Sequence, residues 1–204
     1  EHWNSQYMMD IRKKLMAGEE IPQCAVCNDN LLSQSNYRQW FTGFLFTDKI
    51  DECFEKTDET GYTTMEPISF DYRVSNLCNY KCRMCGEQLS STWEAEKRQH
   101  DHWTPESQPF MIPENKEIIQ KFQKDVVEEE FWDSICRGIV EEIYWVGGEP
   151  LMYDIHWRAM NRLADDDNLK HVHLRYNSNL SRVRYGQHYL YDWLPQAKDW
   201  TMCA

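Results

Sequence analysis

The chain predicts an α/β fold: a parallel sheet whose strands alternate with helices, preceded by a small, mainly helical, cysteine-containing module. Three observations carry this reading. From residue 68 onward, short apolar or alternating runs at 68–74, 144–146, 171–176 and 200–204 are separated by stretches with helical patterning. Strands that alternate with helices imply parallel pairing and right-handed crossovers. Residues able to do chemistry follow the strands directly, and α/β folds place their chemistry at the carboxyl ends of strands. A length of 204 residues leaves room for one core, or one core plus a small module.

The N-terminal module comes first. Met8 to Leu15 reads as a short helix, ended by Ala17-Gly18-Glu19-Glu20. Pro22-Gln23-Cys24-Ala25-Val26-Cys27 then places a C-x2-C pair on a loop. Two thiolates there are half a zinc site, half an auxiliary iron–sulfur site, or two core cysteines; thioredoxin-like redox use lacks its βαβ context. Residues 28–54 read as one or two helices, with Tyr37, Trp40, Phe41, Phe44 and Phe46 supplying apolar contact. Cys53 falls in an amphipathic stretch and is expected in the core. Residues 57–64, polar and containing Gly61, read as a linker.

The alternating run Ile68 to Val74 predicts the first strand. It leads into Cys78-Asn79-Tyr80-Lys81-Cys82-Arg83-Met84-Cys85, a C-x3-C-x2-C spacing that supplies three thiolates on one loop. A structural zinc site takes four ligands in a closed shell. Three suit a 4Fe–4S cluster with one iron left open, which is a place for chemistry. Residues 91–98 read as a helix capped by Ser90 or Ser91, with Glu94 placed for a capping box on Ser91. Residues 100–113 hold Pro105, Pro109 and Pro113 and read as a long loop, followed by helices near 114–124 and 129–138. This insertion exceeds what a crossover needs and is expected to carry function, such as part of a substrate lid. His100, His102 and Trp103 within it are expected on the surface.

Tyr144-Trp145-Val146-Gly147-Gly148-Glu149-Pro150 is an apolar strand ending in GGEP. Residues 155–164 form an amphipathic helix closed by Asp165-Asp166-Asp167-Asn168, and His171 to Tyr176 is a third strand ending in Asn177-Ser178-Asn179-Leu180-Ser181. Residues 187–194 read as a helix before Pro195, and 200–204 as the opening of a fourth strand. Cys136 and Cys203 are expected to be buried and inert. Gly147 and Gly148 let backbone approach a ligand closely. Glu149 accepts hydrogen bonds from an ammonium, and Asn177 and Asn179 offer donors and acceptors to ribose hydroxyls or a carboxylate. Alone, GGEP is a turn after a strand and Asn-Ser-Asn a turn or cap. Their order after consecutive strands, downstream of the cysteine triad, gives them weight.

These motifs resemble the radical S-adenosylmethionine (radical SAM) superfamily. The triad matches its cysteine signature, with Met84 at a position often aromatic. GGEP matches the motif that holds the SAM amino group, and 177–181 resembles a third-strand "TNG" end with Leu180 in place of Gly. The resemblance implies a partial (β/α)6 barrel. Cys78, Cys82 and Cys85 would hold a 4Fe–4S cluster, and S-adenosyl-L-methionine would be bound by Met84, Gly147, Gly148, Glu149, Pro150, Asn177, Ser178 and Asn179. The implied reaction is reductive cleavage of SAM to a 5′-deoxyadenosyl radical that abstracts hydrogen from substrate, fed by a flavodoxin- or ferredoxin-like donor. Residues 12–27 are similar to the end of a SPASM or twitch auxiliary-cluster module lying upstream of the core. There Cys24 and Cys27 would be two ligands of a second iron–sulfur cluster, with the others in sequence preceding Glu1. By analogy with such relatives the substrate is a peptide or protein.

On this reading residues 1–64 are the end of the auxiliary module and its linker. Residues 65–204 are the first half of the barrel, stopping in its fourth strand, so the sequence reads as a fragment. A net charge of −12 and pI near 5.0 show no basic stripe and argue against nucleic acid. The acidic run Asp125, Glu128, Glu129 and Glu130 reads as a solvated helix face. No apolar run reaches membrane-spanning length and no secretory signal is visible. Eight cysteines without a signal fit metal binding in the cytoplasm better than a disulfide scaffold. Two alternatives stand beside this reading. One is a zinc-binding structural or interaction protein using Cys24, Cys27 and two of the triad; the other is a member of the fold without turnover.

Overall fold

The computed structural model of the chain describes residues 2–25, 37–73 and 75–204. Expectations for Cys27, for the rest of 26–36 and for Val74 lie outside these. The chain divides into two compact units, 1–66 and 67–204.

In the first unit, α1 (Gln6–Met16) starts at Ser5, whose side chain accepts from the Met8 amide, and ends at Ala17 with Gly18 at φ 70°. Two short helices follow, α2 (Tyr37–Trp40), which widens into a π-turn over Phe41–Leu45, and α3 (Ile50–Glu55). The expected linker at 57–64 is instead a structured turn. Thr57 bridges Thr63, Asn4 holds the Thr63 backbone on both sides at 2.8 and 3.1 Å, and Arg12 donates to the Gly61 carbonyl at 2.7 Å. At Gly61 (φ 83°) an added Cβ would meet the Met9 carbonyl oxygen at 2.1 Å, so only glycine lets this turn lie on α1. Cys53 is exposed rather than core, its thiol 3.1 Å from the Met65 sulfur. α3 buries none of its residues, so the amphipathic pattern there has no core to face.

The second unit is a four-stranded, all-parallel sheet in the order β1 (Ser69–Tyr72), β2 (Glu142–Trp145), β3 (His173–Asn177), β6 (Asp199–Cys203). Each crossover leads to the adjacent strand. The first crossover contains α4 (Ser91–Gln99) and a helical rod from Pro113 to Cys136. That rod was expected as two helices. It is α5 (Pro113–Phe122), a π segment over Gln123–Glu128 and α6 (Glu129–Cys136), continuous because 123–128 contains no Gly or Pro to stop it. α7 (Asp154–Asp165) makes the second crossover.

The third crossover departs from expectation. Residues 187–194 are not one helix. β4 (Arg184–Tyr185) and β5 (His188–Tyr189) form a hairpin, and only α8 (Leu190–Trp193) is helical. Gly186 at φ 60° opens its two-residue turn, and a positive φ there sets the hairpin twist.

One sheet face packs on helices. Tyr72, Ile143, Trp145, Leu174 and Tyr176 meet Phe131 and Ile135 of α6 and Ile155, Trp157, Met160 and Leu163 of α7. The alternate residues turn to the other face, which is polar. There Glu142 is 1 % exposed, accepts from the Ser69 hydroxyl, and pairs with Arg175 at 3.0 Å. The Arg175 guanidinium lies 4.2 Å from the Tyr144 ring centre. Cys136 and Cys203 are exposed, not buried. Cys136 ends its helix off the face that Phe131 and Ile135 bury, and Cys203 lies on the outermost strand of the sheet, turned to the polar face. Among the described residues, no helix is long and apolar enough to cross a membrane.

Candidate functional site

After β1, residues 75–90 form an irregular loop whose backbone groups find partners in α4 and in side chains. Ser90 caps α4 by accepting from Trp93 N at 3.2 Å, and its hydroxyl donates to the Tyr80 carbonyl at 2.7 Å. Ser91 Oγ bonds both the amide and the carbonyl of Cys78 at 3.1 Å, and the Trp93 indole donates to the Cys82 carbonyl at 2.9 Å. The helix N-terminus therefore grips the loop at the first and second cysteines.

Glu94 does not close the expected capping box. It is buried, and binds Asn76 (2.7 Å), Arg98 (3.0 Å) and Lys116 of α5 (2.7 Å). Burial alone would raise its pKa, but hydrogen bonds from Lys116, Asn76 and Arg98 outweigh it and hold the carboxyl below its ordinary value. Asn76 also donates to the Glu87 carbonyl at 2.8 Å, which closes the loop upon itself.

The three cysteines are free thiols with different surroundings. Cys78 is buried, Cys85 half-buried and Cys82 exposed. Burial pushes the Cys78 thiol up, with the Tyr80 amide, 3.4 Å from its sulfur, working the other way. Burial also raises Cys85, followed by its neighbours Cys82 and Cys78. The thiols thus feel one another's charge. The Asn179 amide, from the end of β3, lies 3.8 Å from the Cys78 sulfur.

The GGEP turn packs directly on this loop. The Glu149 amide donates to the Leu77 carbonyl at 2.8 Å, and Tyr153 Oη donates to the carbonyls of Ser75 and Gly147 at 2.6 and 2.7 Å. At Gly148 (φ 43°) a Cβ would meet Tyr153 Oη at 2.4 Å and the Leu77 carbonyl at 2.6 Å. At Gly147 (φ 79°) it would meet Arg73, with Cβ at 3.1 Å, Cγ at 3.3 Å and Cα at 3.4 Å.

Glu149 does not stand free at the strand end. It is 1 % exposed, and its carboxylate accepts from Leu151 N (3.0 Å), Ser178 Oγ (2.7 Å) and Asn179 N (2.7 Å). Three donors thus fill most of a carboxylate's roughly four acceptor positions. The third strand end completes the set. Asn179 Nδ2 donates to Asn79 Oδ1 at 3.1 Å, and Asn79 Nδ2 to Ser181 Oγ at 2.9 Å. Leu180 sits at φ 53°, a conformation that favours glycine.

The structure therefore brings together Cys78, Cys82, Cys85, Gly147, Gly148, Glu149, Ser178 and Asn179. Pro150 is buried and opens a turn of 3₁₀ helix, while Asn177 is exposed on the outermost residue of β3. Met84 is 92 % exposed. Cys24 ends a 3₁₀ turn, Pro22–Cys24, in the first unit, and its expected partner Cys27 lies outside the described residues. Asn76, Asn79, Tyr153 and Ser181 were not singled out from sequence. The insertion reaches the site: Phe110, Gln120 and Gln123 join Arg73, Ser75 and Gly147 around a cleft of about 60 Å³.

The donor set fits an iron–sulfur cluster held at three irons. Thiolates are the soft ligands such clusters take, and N–H groups directed at sulfur are part of how proteins tune them. Among the described residues, no three His, Cys, Asp or Glu side chains converge on a point suited to one metal ion. Thiolates that each hold a different iron require no common centre. Comparison of the chain with protein-family models, with curated proteins and with solved structures finds no match.

Proposed function

We propose that the chain is part of a radical SAM enzyme, with Cys78, Cys82 and Cys85 as ligands of a 4Fe–4S cluster and the GGEP and Asn-Ser-Asn strand ends as the S-adenosylmethionine site. The observation that carries this is the joining of three consecutive strand ends by Glu149 and Asn179. Glu149 binds the β3 end through Ser178 and Asn179, and Asn179 reaches on to Asn79 and the Cys78 sulfur. Strand order supports the same reading. Four parallel strands in consecutive order, without reversal, wind as a segment of a (β/α) barrel does, whereas a doubly wound sheet reverses at a switch point.

When bound, the cluster supplies one-electron cleavage of a sulfonium C–S bond. The protein's part is orientation and exclusion of water. The serine cap of α4 fixes the first cysteine, Glu149 would be the acceptor toward an ammonium, and Gly148 lets the GGEP turn pack against the cysteine loop. Cys24 and Cys27 are proposed as part of a second cluster, and a peptide or protein as the substrate, both resting on the resemblance to auxiliary-cluster relatives. Cysteines that are free thiols among the described residues support a cytoplasmic setting for this chemistry.

Anaerobic reconstitution with iron and sulfide, followed by EPR of the reduced protein with and without SAM, tests the proposal. The expected result is a cluster signal that shifts on adding SAM and is lost in Cys82→Ala. Stoichiometric zinc with no iron uptake would sink it.

A further inference from the structure

The helical rod of the first crossover is not plain α-helix where it passes the site. It widens to a π-turn at Gln123–Glu128, a rare feature that recurs at functional sites. Gln120 and Gln123, three residues apart and so on one helix face, line the cleft of about 60 Å³, and Gln88 of the cysteine loop lines it too. None of these three glutamine side chains has a hydrogen-bond partner among the described residues. Three free carboxamides around one hollow supply both donors and acceptors and carry no charge.

A fourth carboxamide is fixed. Asn76 is 7 % exposed and lines the same cleft. Its amide donates to the Glu87 carbonyl at 2.8 Å and to the Glu94 carboxylate at 2.7 Å. Both neighbours are acceptors, so the group cannot turn over without setting oxygen against oxygen. Both its N–H bonds are spent, and all that Asn76 can offer a ligand is its carbonyl oxygen, which only a donor satisfies. The half-buried Phe110 ring gives the cleft an apolar side on which a flat group can lie. With roughly 10–15 Å³ for each water-sized group, the cleft takes about four to six heavy atoms, the size of a carboxamide with its methylene.

We propose that this cleft binds a primary carboxamide, whose N–H₂ donates to Asn76 and whose carbonyl accepts from the glutamines. Gly147 of the GGEP turn lines the cleft as well, so a group held there lies beside the strand ends of the candidate site. Its use as a substrate subsite rests on the radical SAM reading; the carboxamide then belongs to an asparagine or glutamine side chain or to a small-molecule amide. The isosteric carboxylate is refused. It has no hydrogen to give Asn76 and would face that oxygen with a charged one, the kind of unpaired contact that makes polar discrimination strong.

The test titrates the isotope-labelled full chain with propionamide and with its isostere propionate, following side-chain amide signals by NMR. Propionamide is expected to shift the Asn76, Gln120 and Gln123 signals and to saturate, and propionate to bind about tenfold more weakly or worse. Gln120→Ala/Gln123→Ala on the rod and, separately, Gln88→Ala on the loop should each weaken propionamide binding several-fold. A glutamine-centred tripeptide that binds more tightly than propionamide marks a polypeptide source, and equal affinity a small-molecule one. Propionate binding as well as propionamide overturns the proposal, as does propionamide binding that neither variant alters. So does adenosine, whose base edge also pairs a donor with an acceptor, shifting these signals where propionamide shifts none. Propionamide binding in a chain that takes up no iron–sulfur cluster leaves the subsite standing and sinks the enzyme reading. A SAM-responsive cluster in a chain indifferent to propionamide sinks the subsite alone.

Discussion

Gly147 and Gly148 are neighbours with similar backbone demands and different surroundings, which separates two effects usually confounded. Both have positive φ, 79° and 43°, so an alanine at either is strained. At Gly147 the added carbon meets the Cβ, Cγ and Cα of Arg73 at 3.1–3.4 Å, a tight but tolerable contact, but at Gly148 it meets the Leu77 carbonyl and Tyr153 Oη well inside contact distance. Gly148→Ala must therefore push the cysteine loop away. It is expected to cost about 2 kcal/mol more than Gly147→Ala in urea unfolding, and to lower cluster loading where Gly147→Ala largely spares it. Equal costs would mean that the loop yields without strain. Leu180 tests the same conformational argument in reverse. At φ 53° a leucine carries about 1–2 kcal/mol of strain. Leu180→Gly releases that strain and loses some apolar contact, while a β-branched Leu180→Val suffers more from the positive φ than leucine does. The expected order of stability is Gly at or above Leu, and both above Val. An order with Val at or above Gly would show an ordinary backbone there.

At the level of elements, the site is a matter of which strand ends are tied to which. Glu149 joins the turn after β2 to the end of β3 through three donors, and two of them, the Leu151 and Asn179 amides, cannot accept in return. Glu149→Gln keeps size and shape but directs an amide N–H₂ at a backbone N–H. Leaving that buried donor unpaired is expected to cost ~2–3 kcal/mol and to loosen Asn179 from Asn79. Thermal unfolding reads the first effect, and amide exchange at Asn179 and Ser181 the second; full protection in the variant would show that the tie is dispensable. The elements that make this possible were largely legible in the sequence. Each strand is a short apolar or alternating run bounded by turn residues, and α7 shows a clear apolar face. Consecutive strands with a motif at each end also imply that the cysteine loop, GGEP and Asn-Ser-Asn share one edge. The ties themselves were not legible. Asn79 and Ser181 meet across about a hundred residues, and nothing in either local sequence announces it. The hairpin at 184–189 was hidden because Tyr189, Leu190, Trp193 and Leu194 also have helical spacing, a short-run ambiguity that only the Gly186 turn resolves. Cys136 and Cys203 were misjudged for a related reason: one residue at the end of a helix, or on the outermost strand, can face either way.

For the whole molecule, the acid limb of stability is set by a few buried groups whose signs can be worked out. His156 on α7 is fully buried among Trp145, Trp157 and Tyr176, with Nε2 3.0 Å from the Tyr176 hydroxyl and Nδ1 without a hydrogen-bond partner among the described residues. Burial lowers its pKa from 6.5 to about 3. Between those values the unfolded chain binds a proton that the folded chain refuses. The stability associated with His156 is therefore fully present above pH 6.5 and falls as pH drops, by about 1.4 kcal/mol per unit. His173, also lowered by burial against the pull of Asp199 and Glu142, acts in the same direction. Glu94 works in a lower window. Its carboxyl is held below the ordinary value of 4.5, so its contribution persists above that pH and is lost only as pH falls through the depressed pKa. The decline between pH 6.5 and 4.5 thus belongs to the histidines, and the buried carboxylates Glu94 and Glu87, both held below the ordinary value, add to the fall beneath it. His156→Gln retains a partner for Tyr176 but cannot titrate. Whatever it does to stability at pH 7.5, it is expected to flatten the dependence between pH 6.5 and 4.5 by close to one proton, read as the slope of unfolding free energy from urea titrations at several pH values. Parallel slopes for the two proteins would mean that His156 is reached by water in the folded state. The packing of α7 on β2 and β3 would then be looser than its aromatic contacts imply.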